Sequence, residues 1–516
     1  MTHPQQDMAP TTLSHYINDW AEKTPERTFF ISTDTGDELS FLQLQQHCQS
    51  LASQFVQLGY QPGDKVSVFM PNCQTTAVML LGVMAAGLVV NPINLLAQAS
   101  QLRHILEHSD TRLVLTTAEL AGRLQPLLDD IDREIALVVL DPQAREVPRL
   151  LAQDNAGTNG QTLSDTTSPD MPALLMYTSG TTGVPKGVVL THNNLTANAR
   201  FITQAHQLTA QDRVLGSLPL FHINALVVTL LTPLIHGGSV AMTPRFSLAS
   251  FWDDARRYAC TWINVVPTIV AYLLNDETPQ DTRSLEAIRF CRTASASLPP
   301  DHLTRFQQRF GISIIETMGL TETAAPAFSN PLDPAQRRLG SVGKPSGCQA
   351  RVIDDNGIEL ADHEHGEIVL SGPQVMLEYY KQPDTTAETF TADGWLRTGD
   401  IGYRDSDGYY FIVGRAKELI IKGGENIAPR EIDEAIVRHP SVLDAAAVGV
   451  PHEEYGQDIA VYLVLRESQD FDEDDLREHC LNELGRYKSP SRFVVVDDLP
   501  RGPSGKVQRL KLLDMS

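Results

Sequence analysis

The chain has 516 residues, six cysteines and a formal net charge of -23 at pH 7. Its length exceeds the range in which one hydrophobic core keeps growing, so we expect two or more structural units. The acidic balance argues against nucleic acid as a partner, because phosphate binding needs clustered Lys and Arg. The cysteines show no C-x-x-C spacing, which argues against a disulfide framework or a structural zinc site.

The sequence gives no sign of export or of stable membrane insertion. The first twenty residues lack the charged start and apolar stretch of a signal peptide. The strongest apolar run, 77–90, falls short of the roughly 20 residues of a membrane span, and we interpret it as a buried helix. We therefore expect a cytoplasmic protein, and the oligomeric state, monomer or homodimer, stays open.

Strand-like apolar runs alternate with helix-length segments through the first two-thirds of the chain. The runs at 65–70, 112–117 and 136–140 are typical of strands, and residues 42–59 are typical of a helix. This alternation predicts crossover units and parallel sheet. Residues 153–172, rich in Asn, Asp, Ser, Thr and Gly, indicate an exposed connector.

The pattern changes after residue 350. Short strands with turn signals at 354–357 and 405–408 predict hairpins in a small β unit, and the last hundred or so residues have the size of a small α+β domain. We expect an α/β protein with a large N-terminal domain of layered α/β subdomains, 1–414, which includes a small β subdomain at about 340–414. A hinge at 415–417 and a small mobile α+β C-terminal domain, 418–516, follow.

A Ser/Thr/Gly-rich segment, YTSGTTGVPKG at 177–187, stands between two apolar runs. Its glycines let backbone N–H groups close around an anion, its hydroxyls add donors and Lys186 supplies positive charge, which suits a polyphosphate. The spacing is not that of a P-loop, because Pro185 precedes the lysine. By composition alone, a surface loop without a ligand would be equally compatible.

The segment resembles the signature loop of the acyl-adenylate-forming (AMP-binding) superfamily. Four further segments follow in the family's order: ETMGLTE at 316–322, WLRTGD at 395–400, GRAKE with IIKGGENIAP at 414–429, and LPRGPSGKV at 499–507. Five ordered motifs along nearly the whole chain are highly specific. The chain is thus identified as a member of the acyl-CoA synthetase branch, with local similarity to crotonobetaine/carnitine-CoA ligases and 4-chlorobenzoate-CoA ligases.

The resemblance implies an AMP-forming, ATP-dependent carboxylic acid:CoA ligase. Such an enzyme forms acyl-AMP and pyrophosphate, then acyl-CoA and AMP, with Mg²⁺ as cofactor and a small-molecule carboxylic acid, ATP and CoA as substrates. Three alternatives stay open: a ligase that loads a carrier-protein pantetheine, a luciferase-type oxygenase, and a non-catalytic nucleotide-binding protein on the same fold.

The same resemblance implies a site for ATP and its metal. Lys506 and Lys186 are its candidate catalytic lysines, and Glu322 and Thr181 its candidate metal ligands. Met318 stands where relatives usually place an aromatic residue over adenine, and a methionine can still contact a ring. The further implied ATP and AMP contacts are Thr178, Ser179, Gly180, Thr182, Gly183, Gly319, Thr321, Asp400 and Arg415.

Lys417 matches the hinge about which the C-terminal domain of relatives rotates between the two half-reactions. Gly423 and Gly424 match the loop that approaches the CoA thiol, where a residue without Cβ lets backbone pass close to a ligand. Arg486 and Lys488 could contact the CoA nucleotide, with a solvated basic turn as the alternative.

The segment LPLFHINAL at 218–226 resembles the family motif that lines the acyl pocket. His222 stands where amino-acid-activating relatives usually place an aspartate, so an α-amino acid is disfavoured; a core histidine is the alternative to a catalytic one. The implied pocket residues are His222, Asn224, Val266, Ser295, Ala296, Thr323 and Ala324. Because no Arg or Lys is evident there, we expect a neutral short, medium-chain or aryl acid, as in fatty acid or aryl acid metabolism.

Overall fold

The computed structural model describes residues 9–146, 149–150, 167–178, 185–466, 471–501 and 507–515. They divide into two compact units. The first comprises residues up to 337 with 345–349 and 371–388, and the second comprises 338–344, 350–370 and the residues from 389 onward. The expected hinge at 415–417 lies inside the second unit, so the division into 1–414 and 418–516 stays a prediction.

The helices and strands are numbered here in chain order. The helices are α1 Leu13–Lys23, α2 Phe41–Gln57, α3 Gln74–Ala85, α4 Ala99–His108, α5 Ala118–Asp129, α6 His192–Ala205, α7 Thr232–His236, α8 Phe251–Arg257, α9 Pro267–Asn275, α10 Pro300–Phe310, α11 Pro383–Thr389, α12 Pro429–Val437, α13 Glu473–Lys488 and α14 Arg509–Leu512. The strands are β1 Thr28–Ser32, β2 Glu38–Ser40, β3 Lys65–Phe69, β4 Val89–Pro92, β5 Thr111–Thr116, β6 Ala136–Val139, β7 Pro172–Thr178, β8 Lys186–Thr191, β9 Arg213–Gly216, β10 Ser239–Met242, β11 Trp262–Val265, β12 Phe290–Thr293, β13 Ile314–Leu320, β14 Ala325–Ser329, β15 Lys344–Pro345, β16 Gln349–Ile353, β17 Gly366–Ser371, β18 Glu378–Tyr379, β19 Leu396–Arg404, β20 Tyr410–Arg415, β21 Ile420–Lys422, β22 Glu425–Ile427, β23 Val442–His452, β24 Gly456–Leu465 and β25 Arg492–Val495.

Two sheets form the first unit. In one, the strands run β14-β13-β12-β11-β9-β10-β1-β2, and those from β13 to β1 are parallel. In the other, the order is β18-β8-β7-β4-β3-β5-β6, parallel from β7 to β6 and antiparallel where β8 joins β7 and β18. Parallel strands need crossover connections, and helices between the strands supply them.

Two helices of this unit were predicted from the sequence. The prediction at 42–59 is confirmed by α2, whereas the buried helix expected over 77–90 is α3, which ends at Ala85 and is followed by strand β4 from Val89. Helix α2 begins with a capping box, in which Ser40 and Gln43 each accept from the other's backbone N–H. Every residue of α3 is buried, and a helix that is apolar on all faces belongs in a core. Within the described ranges, none of the helices combines the length and the apolarity that a membrane crossing requires.

The second unit contains a sheet of order β16-β17-β19-β20, in which β19 pairs antiparallel with both neighbours. The turn at 405–408 joins β19 to β20, as predicted. Residues 371–388, inside the range expected for the small β subdomain, instead belong to the first unit, where β18 pairs with β8. The reason is backbone pairing with a strand almost two hundred residues earlier, which local patterns do not encode.

The C-terminal part of the second unit is α+β. Its sheet runs β22-β21-β24-β23, with β25 beside β24, and α12 and α13 pack on it through an aliphatic core that includes Ile432, Ile436, Val461 and Leu476. The fold class expected from the sequence, α/β with a small α+β C-terminal part, is confirmed.

Candidate active site

The predicted phosphate loop is framed by a pair of antiparallel strands. Strand β7 ends at Thr178, which is the register partner of Lys186, the first residue of β8. Ser179, Gly180, Thr181, Thr182 and Gly183 lie outside the described residues. The two strands predicted from the flanking apolar runs are therefore present, and Lys186 is the first residue of the second strand.

Tyr379 connects two of the predicted ATP-site residues of the first unit. Because β18 pairs with β8, the Tyr379 ring lies under Lys186, whose Nζ is 4.9 Å from the ring centroid. The Tyr379 hydroxyl donates a 2.7 Å hydrogen bond to Oε1 of Glu322. Tyr379 was not among the predicted site residues, although its ring and hydroxyl lie between the candidate lysine and the candidate metal ligand.

Glu322 lies in a short 3₁₀ turn, 321–323, that follows β13. The amide of Asn198, on α6, holds this turn by donating to the carbonyls of Thr323 and Pro326 at 2.7 and 2.9 Å. The Met376 N–H donates to the Glu322 carbonyl at 2.7 Å. These contacts fix the direction of a half-buried carboxylate.

The side chains of Thr323 and Ala324 are fully buried. The Thr323 hydroxyl closes the turn, accepting from the Leu320 N–H and donating to the Ala325 carbonyl at 2.8 Å. The structure thus gives Thr323 a turn-forming role, and its place in an acyl pocket stays a prediction. Met318, Gly319 and Thr321 are half-buried on β13 and the turn beside Glu322.

The remaining acyl-pocket candidates follow the carboxyl ends of β11 and β12, the position at which open α/β sheets usually bind ligands. Val266 follows β11, and Ser295 and Ala296 follow β12. Ser295 has a φ of +79°, a conformation that non-glycine residues seldom adopt and that is often found at functional sites.

His222 and Asn224 begin a helical segment that packs on the same sheet. The His222 carbonyl accepts from the N–H groups of Ala225 and Leu226. From Asn224 to Leu231 the backbone is π-helical, a rare geometry that is frequent at functional sites.

Asn224 contacts an arginine that was not among the predicted site residues. Nη1 of Arg292, on β12, donates to Oδ1 of Asn224 and to Oδ1 of Asn264, each at 2.8 Å. The expectation that no Arg or Lys lies near the predicted pocket residues was therefore wrong at Asn224. The available signal was a charged residue inside the apolar strand FCRT.

In the second unit, two predicted nucleotide-binding residues form an ion pair. Asp400 on β19 and Arg415 on β20 are register partners, and Nε of Arg415 lies 2.8 Å from Oδ1 of Asp400. Nη1 of Arg415 also donates to the Thr398 carbonyl at 2.8 Å. Because Asp400 is only 5% exposed, this pairing holds its charge in place.

Lys417 is exposed in a 3₁₀ turn, Ala416–Glu418, between β20 and β21. The next feature is a two-residue hairpin turn, because Lys422 and Glu425 are register partners with only Gly423 and Gly424 between them. Both glycines have positive φ, 56° and 87°, which the tight turn demands. A Cβ on Gly424 would meet nothing within 4 Å, so the turn presents open backbone there.

The candidate basic residues near the chain's end have different surroundings. Arg486 is exposed, while Lys488 pairs at 2.7 Å with both carboxylate oxygens of Glu431. Lys506 lies outside the described residues. On either side of its segment, Arg501 and Val507 form an antiparallel bridge, so the two ends of the Lys506 segment meet.

A family model for AMP-binding enzymes matches residues 17–380, and a model for their C-terminal domain matches residues 431–506. The chain belongs to the AMP-binding enzymes. The sulfoacetate–CoA ligase of Cupriavidus necator is 56% identical to it over 98% of this chain and 97% of that protein. The oxalate–CoA ligase of Arabidopsis thaliana is 35% identical, over 97% of this chain and 98% of that protein.

Among solved structures, the O-succinylbenzoate coenzyme A synthetase of Bacillus subtilis in complex with ATP and magnesium ion is similar to this AMP-binding enzyme. The TM-score is 0.84 at 30% identity, over 97% of this chain and 99% of that one. The predicted family, the fold and the activity of an ATP-dependent acid:CoA ligase are confirmed.

Proposed function

We propose that this AMP-binding enzyme joins CoA to a short acid that carries a second anionic group, with sulfoacetate as the first candidate. The observation that carries the proposal is the 56% identity, along almost the full length of both chains, to a sulfoacetate–CoA ligase. The oxalate–CoA ligase, 35% identical, also acts on an acid with two anionic groups. This proposal replaces the neutral acid expected from the sequence.

The first half-reaction is the attack of the acid's carboxylate oxygen on the α-phosphorus of ATP, which breaks the bond to the β-phosphate and releases pyrophosphate. We assign Lys186, placed by the β7–β8 pairing, to the phosphates. We assign Lys506 to the charge that develops between the carboxylate and the α-phosphate, where a mobile cation stabilises the transition state without covalent chemistry.

Glu322 fits a Mg²⁺ ligand. Mg²⁺ prefers oxygen ligands and usually takes only one or two carboxylates from protein, because phosphates and water supply the rest. Glu322 is half-buried, and Tyr379 holds one of its oxygens by a hydrogen bond. When bound, Mg²⁺ neutralises phosphate charge; Thr181, the second candidate ligand, lies outside the described residues.

The ribose of ATP needs an acceptor for its two hydroxyl groups. Asp400 fits because an ionised carboxylate only accepts hydrogen bonds, and its pairing with Arg415 fixes the orientation. In the second half-reaction the CoA sulfur, having lost its proton, attacks the acyl carbon and AMP leaves. We assign the Gly423–Gly424 turn to that step, and rotation at Lys417 to the change between the two steps.

The test is a panel of acids given to the purified protein with ATP, Mg²⁺ and CoA, with pyrophosphate release and CoA-thioester formation measured separately. The panel holds sulfoacetate, oxalate, malonate, acetate, crotonate and benzoate. The proposal expects thioester formation from sulfoacetate or another doubly charged acid above that from the singly charged acids. Turnover of acetate, crotonate or benzoate alone contradicts it, and pyrophosphate release without thioester shifts the acceptor to a carrier protein.

A further inference from the structure

Arg292 is a charged residue at the centre of the first unit's larger sheet. Its side chain is 1% exposed, and its register partner on the neighbouring strand is Asn264. One terminal nitrogen, Nη1, donates to the amide oxygens of both Asn264 and Asn224. Two neutral side chains from different elements thus hold the guanidinium in one orientation.

Within the described part of the chain, this buried cation lacks a negatively charged partner. No carboxylate among the described residues pairs with Arg292, and burial lowers the pKa of its guanidinium to about 9, so it is still protonated at neutral pH. Proteins rarely bury a charge unless it is paired, because removing an ion from water costs several kcal/mol. The site is therefore short of one negative charge.

Two hydrogen-bond donors beside this charge are also unused. Nε of Arg292 and Nδ2 of Asn224 are both buried, and neither finds an acceptor in the described part of the chain. An unsatisfied buried donor costs about 1–3 kcal/mol, so two of them next to an unpaired cation indicate a missing partner. That partner must be an acceptor with negative charge.

The nearby histidine cannot supply the charge. His206 is buried close enough to Arg292 to feel its field, and burial first, then Arg292, lower the pKa of the imidazole to about 3. At neutral pH His206 is uncharged, and a protonated imidazole would add a positive charge. The missing anion must come from outside the described chain.

Asn224, Asn264 and Arg292 each lie close in sequence to a residue of the predicted acyl pocket. Asn224 lies two residues after His222, Asn264 two residues before Val266, and Arg292 three residues before Ser295. The π-helical segment that begins at Asn224 packs against β9 and β11. The unpaired guanidinium therefore lies where the acid is expected to bind, and the acid can supply the missing negative charge.

We infer that Arg292 is the specificity-determining residue of the acid site, and that its guanidinium binds the second anionic group, a sulfonate or a carboxylate, of the acid. The inference rests on the proposed function. Nε of Arg292 and Nδ2 of Asn224 donate to oxygens of that group. Asparagines at 224 and 264 hold the guanidinium without neutralising it, which an aspartate would do.

This arrangement also rejects neutral acids. An acid that ends in a methyl group leaves the cation unpaired and its donors unsatisfied, and sites built to bond a polar group reject analogues without it strongly. The selectivity is thus set by the penalty for the wrong acid as well as by the gain from the right one.

The test compares two variants with wild-type enzyme by the ratio of kcat/KM for sulfoacetate to that for propionate, an acid without the second anion. Arg292→Met removes the charge. Asn224→Asp keeps the size of the side chain and supplies a carboxylate next to Arg292. This carboxylate pairs with the guanidinium in place of the second anionic group of the acid. Both are expected to lower the ratio on the order of 100-fold or more.

The matched control is Arg337→Met. Arg337 is a half-buried arginine of the same unit whose guanidinium donates to the carbonyls of Ile314, Pro331 and Leu332. A purely structural arginine affects both acids alike, so this variant is expected to keep the wild-type ratio.

The outcomes separate the failure of this inference from the failure of the proposed function. An unchanged ratio in Arg292→Met overturns the inference while the proposed function stands, and an unchanged ratio in Asn224→Asp does the same if Arg292→Met fails to fold. A wild-type enzyme that makes no thioester from any doubly charged acid overturns the proposed function and the inference together.

Discussion

The Tyr379 hydroxyl donates a 2.7 Å hydrogen bond to Oε1 of Glu322, although the two residues are 57 positions apart. The same ring lies under Lys186. One side chain thus orients the candidate metal ligand and contacts the candidate phosphate-binding lysine. This links two motifs that the sequence presents as separate.

Tyr379→Phe removes the hydroxyl and keeps the ring. We expect pyrophosphate release to slow about 10-fold, because a hydrogen bond to a charged group contributes about 1.5–3 kcal/mol, and we expect half-maximal activity to need more Mg²⁺. The measurement is a Mg²⁺ titration of the adenylation rate. Tyr380→Phe, which removes the neighbouring hydroxyl that donates to Asp110, is the control. An identical Mg²⁺ dependence in all three proteins contradicts the role of Tyr379.

Asp400→Asn replaces the ionised acceptor in the Asp400–Arg415 pair by an amide of the same shape. We expect the KM for ATP to rise on the order of 10-fold, because the amide accepts less strongly than the carboxylate and leaves Arg415 without its ion pair. The KM for the acid should change far less. Steady-state kinetics with either substrate varied gives both values.

The control for Asp400→Asn lies on the same strand. Arg404 forms an ion pair with Asp362 that is about one-third exposed, and such pairs contribute little. Arg404→Met should therefore leave the KM for ATP within twofold of the wild-type value. Equal changes in both variants would show that Asp400 acts through the stability of the sheet and not through the nucleotide.

Gly424→Leu places a side chain on the hairpin turn that we assign to the CoA step. The added Cβ meets nothing within 4 Å in the described chain, so the variant introduces no clash, and the strain of a leucine at a φ of 87° is matched in the control below. We expect thioester formation to slow at least about 10-fold more than pyrophosphate release. Gly408→Leu is matched, because Gly408 also has a positive φ, 82°, and open space around its Cα. A similar loss in both half-reactions removes the assigned role.

Three buried histidines make the first unit sensitive to mild acid. Burial lowers the pKa of His206 to about 3 and the pKa values of His192 and His236 to about 4. The unfolded chain binds protons at these groups near pH 6.5 and the folded chain does not, so stability falls as the pH drops below about 6.5 and levels off near pH 3–4. Urea unfolding midpoints between pH 8 and pH 5 measure this fall.

The variant that tests the contribution of one buried histidine to this pH dependence is His206→Leu. It removes one of the three groups, so the stability of the variant should depend less steeply on pH between 6.5 and 5, by up to about one proton. Midpoints that stay constant from pH 8 to pH 5 in the wild type, or equal slopes in both proteins, contradict the expectation.

Local patterns were enough to predict much of the fold. The alternation of apolar runs and amphipathic segments predicted the parallel strands β3, β5 and β6 and the helix α2, because each of these is specified by its own residues. The turn at 405–408 has the Asp and Gly residues that hairpins need. Strand β18 was not predicted, since two residues carry no periodicity and their pairing with β8 is a long-range contact.

The candidate site shows the same difference between features set by local sequence and features set by long-range contacts. Lys186, Glu322, Asp400 and Arg415 lie in ordered motifs and could be singled out from the sequence. Tyr379 and Arg292 could not be placed, because the role of each depends on what packs against it. A charged residue in the buried strand β12 was nevertheless a visible departure from the strand pattern, although Arg292 was not among the predicted site residues.

The most direct test of the central claim is a competition. Purified enzyme receives equal concentrations of sulfoacetate, oxalate and propionate with Mg²⁺ and limiting ATP and CoA, and mass spectrometry counts the three CoA thioesters. The product ratio equals the ratio of kcat/KM values. We expect the doubly charged acids to supply nearly all of the thioester, with sulfoacetyl-CoA in excess. Propionyl-CoA as the main product would contradict the account.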